Sequence, residues 1–270
     1  MKKFLVPVDF SDTSLNAAKY AVALTNEISD AHITLYYVYN RISFAYLAAK
    51  DEGSRQQISE SELKKVQEQI SGGKDNISII VEEGSFIENI ANYVLGNGID
   101  MVIMGITGSS RIAQVFMGTN TLNVIRHIES PVMIIPPAAK YTGLKKVVFT
   151  SDFKDVARTT PFNSLKKIFD TFKPHLDILN VDSEHYVELT EDFKIEKEAM
   201  EDKLGVYHPE FSFLRAFDFL EGINRFAETK NIDAIITVPR KHNFLAQLFK
   251  TSHTKKLAYH SHVPIIAVPS

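Results

Sequence analysis

The sequence predicts two tandem α/β lobes, each a mainly parallel five-stranded sheet flanked by helices. Three observations predict it. The chain repeats itself. Each half alternates short apolar runs with stretches of helical periodicity, the pattern of parallel strands joined by crossover helices. In the first half alone, the fourth apolar run leads into a glycine-bearing loop ahead of a helix.

The repeat is visible by inspection, and repeats are the first feature to seek because they set the fold. Lys2-Lys3-Phe4-Leu5-Val6-Pro7-Val8-Asp9-Phe10 returns as Lys145-Lys146-Val147-Val148-Phe149-Thr150-Ser151-Asp152-Phe153. Near the end of each half, Ile99-Asp100 returns as Ile232-Asp233, and Ala113-Gln114-Val115-Phe116 as Ala246-Gln247-Leu248-Phe249. At the same offset His127 falls on His260 and Pro131 on Pro264. The expected lobes are 1–139 and 140–270, with the joint in the stretch from Pro137 to Gly143.

In lobe 1 the apolar runs 4–8, 32–39, 77–81, 100–104 and 132–135 read as strands. Ser11 or Asp12 can cap the helix after the first, with Leu15, Ala18 and Val22 expected on its buried stripe. A long helix is expected over 46–70, with Leu63, Val66 and Ile70 as its apolar positions. A further helix over 86–95 carries Ile87, Ile90, Ala91 and Val94 on one face, and another runs over 119–127. Ser71-Gly72-Gly73 reads as a turn that ends the long helix. Lobe 2 repeats the plan, with strands near 146–150, 175–181, 211–215, 234–238 and 264–268. The charged segment 184–203 keeps Tyr186, Leu189, Phe193 and Met200 at helical spacing, with its acidic excess on a solvated face. In such sheets ligands bind beyond the carboxyl ends of the strands, where the strand order reverses.

Composition narrows the function classes. The 270 residues are 44% hydrophobic and 23% charged, with a net charge of -3. A pI near 6.3 leaves no basic footprint for nucleic acid. Cysteine is absent, so disulfides, thiol nucleophiles and Cys-ligated zinc are excluded. No apolar run approaches the ~20 residues of a membrane span, and the run before Asp9 is too short for a signal peptide. The expectation is a cytoplasmic protein that engages neither membrane nor nucleic acid.

The loop after the fourth strand reads Gly105-Ile106-Thr107-Gly108, then after nine residues Gly118-Thr119-Asn120. Glycines let backbone N–H groups approach an anion, and the helix beginning near Thr119 points its free N–H groups at the same place. Thr119 adds a hydroxyl and Asn120 an amide. The same glycines could also serve only to relieve tight turns.

The spacing Gly-x2-Gly-x9-Gly-[Ser/Thr] resembles the phosphate loop of ATP-binding universal stress proteins, and other features agree. Pro7-Val8-Asp9 closes the first strand, Val38 lies near the end of the second, and Ser130-Pro131-Val132 precedes the last strand. The resemblance covers lobe 1 end to end, and lobe 2 in its first strand and last third. It implies Rossmann-like domains that bind ATP, with Mg2+ as an accompanying ion. Pro7, Val8 and Asp9 would meet the adenosine end, and Val38 the base. Gly105, Gly108, Gly118 and Thr119 would cradle the phosphates, with Met104 and Asn120 beside them.

In lobe 2, Gly105 becomes Val238, Gly108 becomes Lys241 and Gly118 becomes Thr251, while Ser252 stands for Thr119 and Asp152 for Asp9. Lobe 2 is therefore expected not to bind ATP in this manner. Its expected role is to pair with lobe 1 as a pseudo-dimer, with the strands near Val132 and Ile265 as the family's natural seam; a homodimer of whole chains is also open. His260-x-His262 matches no ordered zinc motif, so no metal is expected there. No nucleophile elbow is present. The leading expectation is a regulatory, stress-response nucleotide binder. The alternatives are a slow ATPase, with Asp9 assisting hydrolysis through a magnesium ion, or an interaction scaffold that binds no nucleotide.

Overall fold

The computed structural model describes residues 2–40, 52–106, 119–182, 190–216, 218–239 and 263–270. The chain divides into two compact units, Met1–Tyr141 and Thr142–Ser270.

The first unit runs β1 (Lys2–Pro7), α1 (Asp12–Thr25), β2 (Ala31–Tyr39), α2 (Glu52–Ser71), β3 (Ile77–Glu83), α3 (Phe86–Asn97), β4 (Met101–Gly105), α4 (Thr119–His127) and β5 (Val132–Ile135). All its strand pairs are parallel, in the order β3-β2-β1-β4-β5. The order reverses at β1, which pairs with β2 on one side and β4 on the other. Every residue of β4 and β5 is buried, as is the Phe4-Leu5-Val6 run of β1, the mark of strands covered on both faces. β3 lies at the edge and is mostly half-buried.

The second unit runs β6 (Lys146–Thr150), α5 (Val156–Thr159), α6 (Phe162–Phe172), β7 (His175–Asp182), α7 (Glu191–Leu204), β8 (Glu210–Arg215), α8 (Phe219–Lys230), β9 (Ala234–Thr237) and β10 (Ile265–Ala267). Its strands are parallel too, in the order β10-β9-β6-β7-β8.

Both units fasten their first strand in the same way. The amide of Lys3 donates to Asp100 Oδ2 at 2.9 Å, and that of Lys146 to Asp233 Oδ2 at 2.8 Å. The Lys3 ammonium donates to the carbonyl of Asn97 at 2.8 Å, and Lys146 reaches that of Lys230 at 3.5 Å. The helix preceding each acid turns out through a left-handed residue, Gly98 at φ 60 and Asn231 at φ 54.

Three expectations change. Leu15 and Val22 are only half-buried; the buried stripe of α1 is Ala17, Ala18, Ala21 and Leu24, with Tyr20. Small residues on that stripe let the helix lie close to the sheet. On α3 only Ile90 and Val94 are buried. The first helix of lobe 2 is not a copy of α1, because it breaks into α5 and α6 around Pro161, whose ring cannot continue a helix. Ser11 is the cap of α1, its hydroxyl accepting from the Ser14 amide at 3.3 Å. The expected start of the long helix before residue 52 lies outside the described residues, as do Tyr186 and Leu189.

Candidate functional site

A cavity of about 220 Å3 opens at the carboxyl ends of β1, β2 and β4, where the strand order reverses. β1 contributes Pro7, with Val8 and Asp9 after it; β2 contributes Tyr37 and Val38, with Asn40 beyond. Met104 and Gly105 close β4, Phe86 opens α3, Ser14 lies on α1, and Asn120 and Thr121 come from the first turn of α4. Pro7, Val8, Asp9, Val38, Met104, Gly105 and Asn120 thus meet around one space. Thr119 begins α4, and its side chain lies outside the described residues. Gly108 and Gly118 lie outside them as well, as do Lys241, Thr251, Ser252, His260 and His262.

Local chemistry explains the lip formed by β1. The Val8 amide donates to the Tyr36 carbonyl at 2.9 Å, which carries the strand ladder up to the pocket. The chain then turns sharply at Phe10, which holds a φ of 63. A bulky residue there is strained by roughly 1–2 kcal/mol. Asp9 offsets this: its Oδ1 accepts from the Ser11 amide at 3.1 Å and the Ser11 hydroxyl at 2.5 Å. Its own amide donates to Ser14 Oγ at 3.3 Å. The turn leaves the Asp9 carboxylate exposed at the cavity. Strain held in place at a cleft is a common feature of functional sites.

The wall from β2 is aromatic. Phe10 meets Tyr37 edge-on at 4.9 Å between ring centroids. Burial pushes the Tyr37 phenol above its ordinary range, and the Asp9 charge adds to this. On the opposite face of β2, Tyr36 donates to Glu82 Oε2 at 2.6 Å, and Asn89 donates to the same oxygen at 2.9 Å.

Gly105 has a structural reason of its own. A Cβ placed on it would lie 2.7 Å from the carbonyl oxygen of Thr13 and 2.9 Å from its carbonyl carbon. The first turn of α1 therefore rests directly on the end of β4. Thr121 secures the far side: its buried hydroxyl donates to the Gly105 carbonyl at 3.2 Å and lies 3.4 Å from that of Ile106. Sequence reasoning missed Thr121, Ser14, Tyr37, Asn40 and Phe86. Thr121 follows Thr119 and Asn120 in the chain, and its place in the first turn of α4 was the available signal.

The amino end of α4, which contributes Asn120 and Thr121 to the lining, is the electropositive end of a helix and suits an anion. Asp9 is the one charged side chain among the described lining residues. No described lysine or arginine lines the space; among the described groups, a bound phosphate would meet the amino end of α4.

Lobe 2 keeps the strand-end turn but not the strand-four end. Phe153 holds φ 50, and Asp152 Oδ1 accepts from the Lys154 amide at 3.1 Å, as at Phe10 and Asp9. Phe153 is buried, however, against Phe193 at 4.8 Å and Phe213 at 5.9 Å. Val238, also buried, stands after β9 at the position of Gly105.

The family model described as "Universal stress protein family" matches residues 1–136. A universal stress protein of Methanocaldococcus jannaschii is 31% identical over 146 residues, covering 52% of this chain and 84% of that protein. A second from the same organism is 27% identical over 152 residues, covering 50% of this chain and 94% of that protein. Among solved structures, a universal stress protein from Archaeoglobus fulgidus superposes with a TM-score of 0.70 at 17% identity, covering 99% of this chain and 98% of its own. A putative universal stress protein from Pseudomonas aeruginosa gives 0.58 at 13%, covering 100% and 93%. Those identities speak to fold alone, and they do so over both lobes. With a family model spanning the whole strand-and-helix series of the first lobe, and an archaeal relative aligned over most of its own length, this chain belongs to the universal stress protein family.

Proposed function

We propose that the first lobe binds ATP, with a divalent cation, in the cavity at the ends of β1, β2 and β4, and that the protein acts as a regulatory, stress-response nucleotide binder in the cytoplasm. One observation carries this reading: the amino end of α4 and the Asp9 turn face a common cavity at the strand-order reversal. The loop with the Gly-x2-Gly-x9-Gly-Thr spacing joins β4 to that helix. At about 220 Å3 the cavity is smaller than the ~300–1,000 Å3 of typical small-molecule sites. In this reading it takes the adenosine end against Val38 and Phe86, and the triphosphate extends toward Gly108 and Gly118.

Asp9 accepts two hydrogen bonds from Ser11, which suits a positioned binding carboxylate. In the second lobe, Val238 and the buried Phe153 argue for a partner role without nucleotide, as a second subunit would have in a dimer.

The test is calorimetry of the full chain with ATP and Mg2+, beside Gly118→Val. Saturable binding of one ATP per chain, lost in the variant, is expected. Absence of binding at millimolar ATP overturns the reading, and two sites per chain overturns the assignment of the second lobe.

A further inference from the structure

Both lobes carry a polar cluster at the amino ends of their second and third strands, and the two clusters differ in chemistry. In the first lobe, Lys3 lies opposite His32 and Thr34 opposite Ser78 in the parallel ladder. His32 Nε2 is 2.9 Å from Ser78 Oγ, and Thr34 Oγ1 is 3.2 Å from the same oxygen. One imidazole and two hydroxyls form a closed hydrogen-bonded set.

In the second lobe, Lys146 lies opposite His175 and Asp177 opposite Glu210. Lys3 and Lys146 are equivalent in the repeat, so His175 stands where His32 does, Asp177 where Thr34 does, and Glu210 where Ser78 does. The imidazole is kept and both hydroxyls have become carboxylates. His175 and Asp177 are two apart on one strand, hence on one face, and Glu210 faces them from the neighbouring strand.

The set is not closed. His175 Nε2 is 3.3 Å from Glu210 Oε1 and 4.0 Å from Asp177 Oδ2. The Asp177 side chain is 2% exposed, and its Oδ1 is buried without a hydrogen-bond partner. Lys230 donates to Glu210 Oε2 at 3.3 Å but stands 4.0 Å from Asp177 Oδ1, too far for a hydrogen bond. A carboxylate that deep is costly unless a cation or donors reach it. Burial keeps the Asp177 carboxyl above its ordinary range despite the neighbouring lysine.

We propose that His175, Asp177 and Glu210 form a divalent transition-metal site, in which the ion supplies the positive charge that Lys230 supplies only in part. One donor atom from each residue lies within 4.8 Å of the other two. Donors around a zinc ion with bonds of ~2.0–2.2 Å sit roughly 3–4 Å apart, so the exposed His175 and Glu210 side chains need close only slightly. One imidazole and two carboxylates favour Zn2+ over Mg2+ or Ca2+, which prefer all-oxygen shells. Three protein ligands leave a coordination position open to water or a small anionic ligand. Lys230 is 45% exposed at its side chain and has room to swing into solvent as the ion enters.

The experiment is Zn2+ titration of the chelator-stripped full chain, read by calorimetry and by melting temperature. Wild type should take up one Zn2+ per chain in the micromolar range or tighter and melt higher with it. Asp177→Asn and Glu210→Gln should each weaken binding about tenfold or more, as loss of a ligand must exceed the ~10–100-fold cost of losing a supporting group. Glu210 is exposed, so Glu210→Gln cannot fail merely by unfolding. Lys230→Met should tighten binding, because it removes the competing cation; a purely structural ion network predicts no gain. The double variant His260→Ala/His262→Ala should bind as wild type does. The proposal is overturned if Zn2+ does not bind. It is also overturned if Asp177→Asn and Glu210→Gln leave affinity unchanged, or if binding disappears with His260 and His262.

Discussion

Gly105 at the end of β4 lies so close to Thr13 in the first turn of α1 that a Cβ on it would come within 2.7 Å of the Thr13 carbonyl oxygen. The obstacle is backbone, which cannot rotate aside as a side chain can. Gly105→Ala should therefore destabilise the first lobe by about 1–3 kcal/mol, the usual cost of overpacking. Gly96 is the control: it is exposed on α3, and a methyl group there would meet nothing within 4 Å. Gly96→Ala should stabilise by roughly 0.5–1 kcal/mol through helix propensity. Denaturant unfolding of the two variants reads both signs, and a neutral Gly105→Ala would show that α1 is free to shift.

Thr121 ties the amino end of α4 to the end of β4 with a buried hydroxyl donating to the Gly105 carbonyl. Thr121→Val keeps the shape and removes the donor. The loss should be about 1–2 kcal/mol, because a buried carbonyl is left without that partner. In the proposed reading, nucleotide affinity should fall as well, since α4 would no longer be held against the pocket. Calorimetry with ATP alongside a melting curve separates the two effects. Unchanged affinity in a destabilised variant would take Thr121 out of the site.

The strands and the long helices were legible because apolar runs and helical spacing survive in both lobes, and the repeat fixed which elements correspond. Gly105 was visible as a required glycine, but its reason was not, because the approach of Thr13 is a contact between distant segments. The buried stripe of α1 was only partly placed: Ala18 is buried as expected, but Ala17 and Ala21 were not read because alanine carries little hydrophobic signal. Pro161 carries the signal for the break between α5 and α6, which a reading of lobe 2 as a copy of lobe 1 does not use. Around the pocket, Tyr37 and Phe86 have no spacing relative to the glycine loop and come together only through the parallel register of the sheet. His175, Asp177 and Glu210 were hidden for the same reason: Glu210 joins the other two only once β8 is laid beside β7.

Tyr207 gives the second lobe an alkaline sensitivity. Its hydroxyl donates to Asp170 Oδ1 at 2.8 Å, and its pKa is pushed up to about 12 from 10.0, by burial first and then by Asp170. A phenol raised in the folded state contributes stability that is complete below pH 10 and is lost as pH rises toward about 12. Tyr207→Phe should be less stable than wild type at neutral pH, with the gap closing over that interval. Urea unfolding at a series of pH values checks the sign. A gap that stays constant would mean the Asp170 contact is not felt in solution.

The paired anchors of β1 and β6 should differ in strength by the number of amides each aspartate holds. Among the described residues, Asp100 Oδ2 accepts from one amide, that of Lys3, at 2.9 Å. Asp233 Oδ2 accepts from both Lys145 and Lys146, each at 2.8 Å. The bonds are solvent-exposed, so each is worth about 1 kcal/mol rather than the full value of a buried charge-assisted bond. Asp100→Ala should then loosen the first lobe by about 1 kcal/mol, and Asp233→Ala the second by about 2. Native-state amide exchange at Leu5 and Val6 in β1, and at Val147 and Val148 in β6, reports each lobe separately. The larger loss of protection should fall on β6. Equal losses would mean that one of the two bonds to Asp233 carries no net energy, and that the repeat had duplicated the strand anchor without strengthening it.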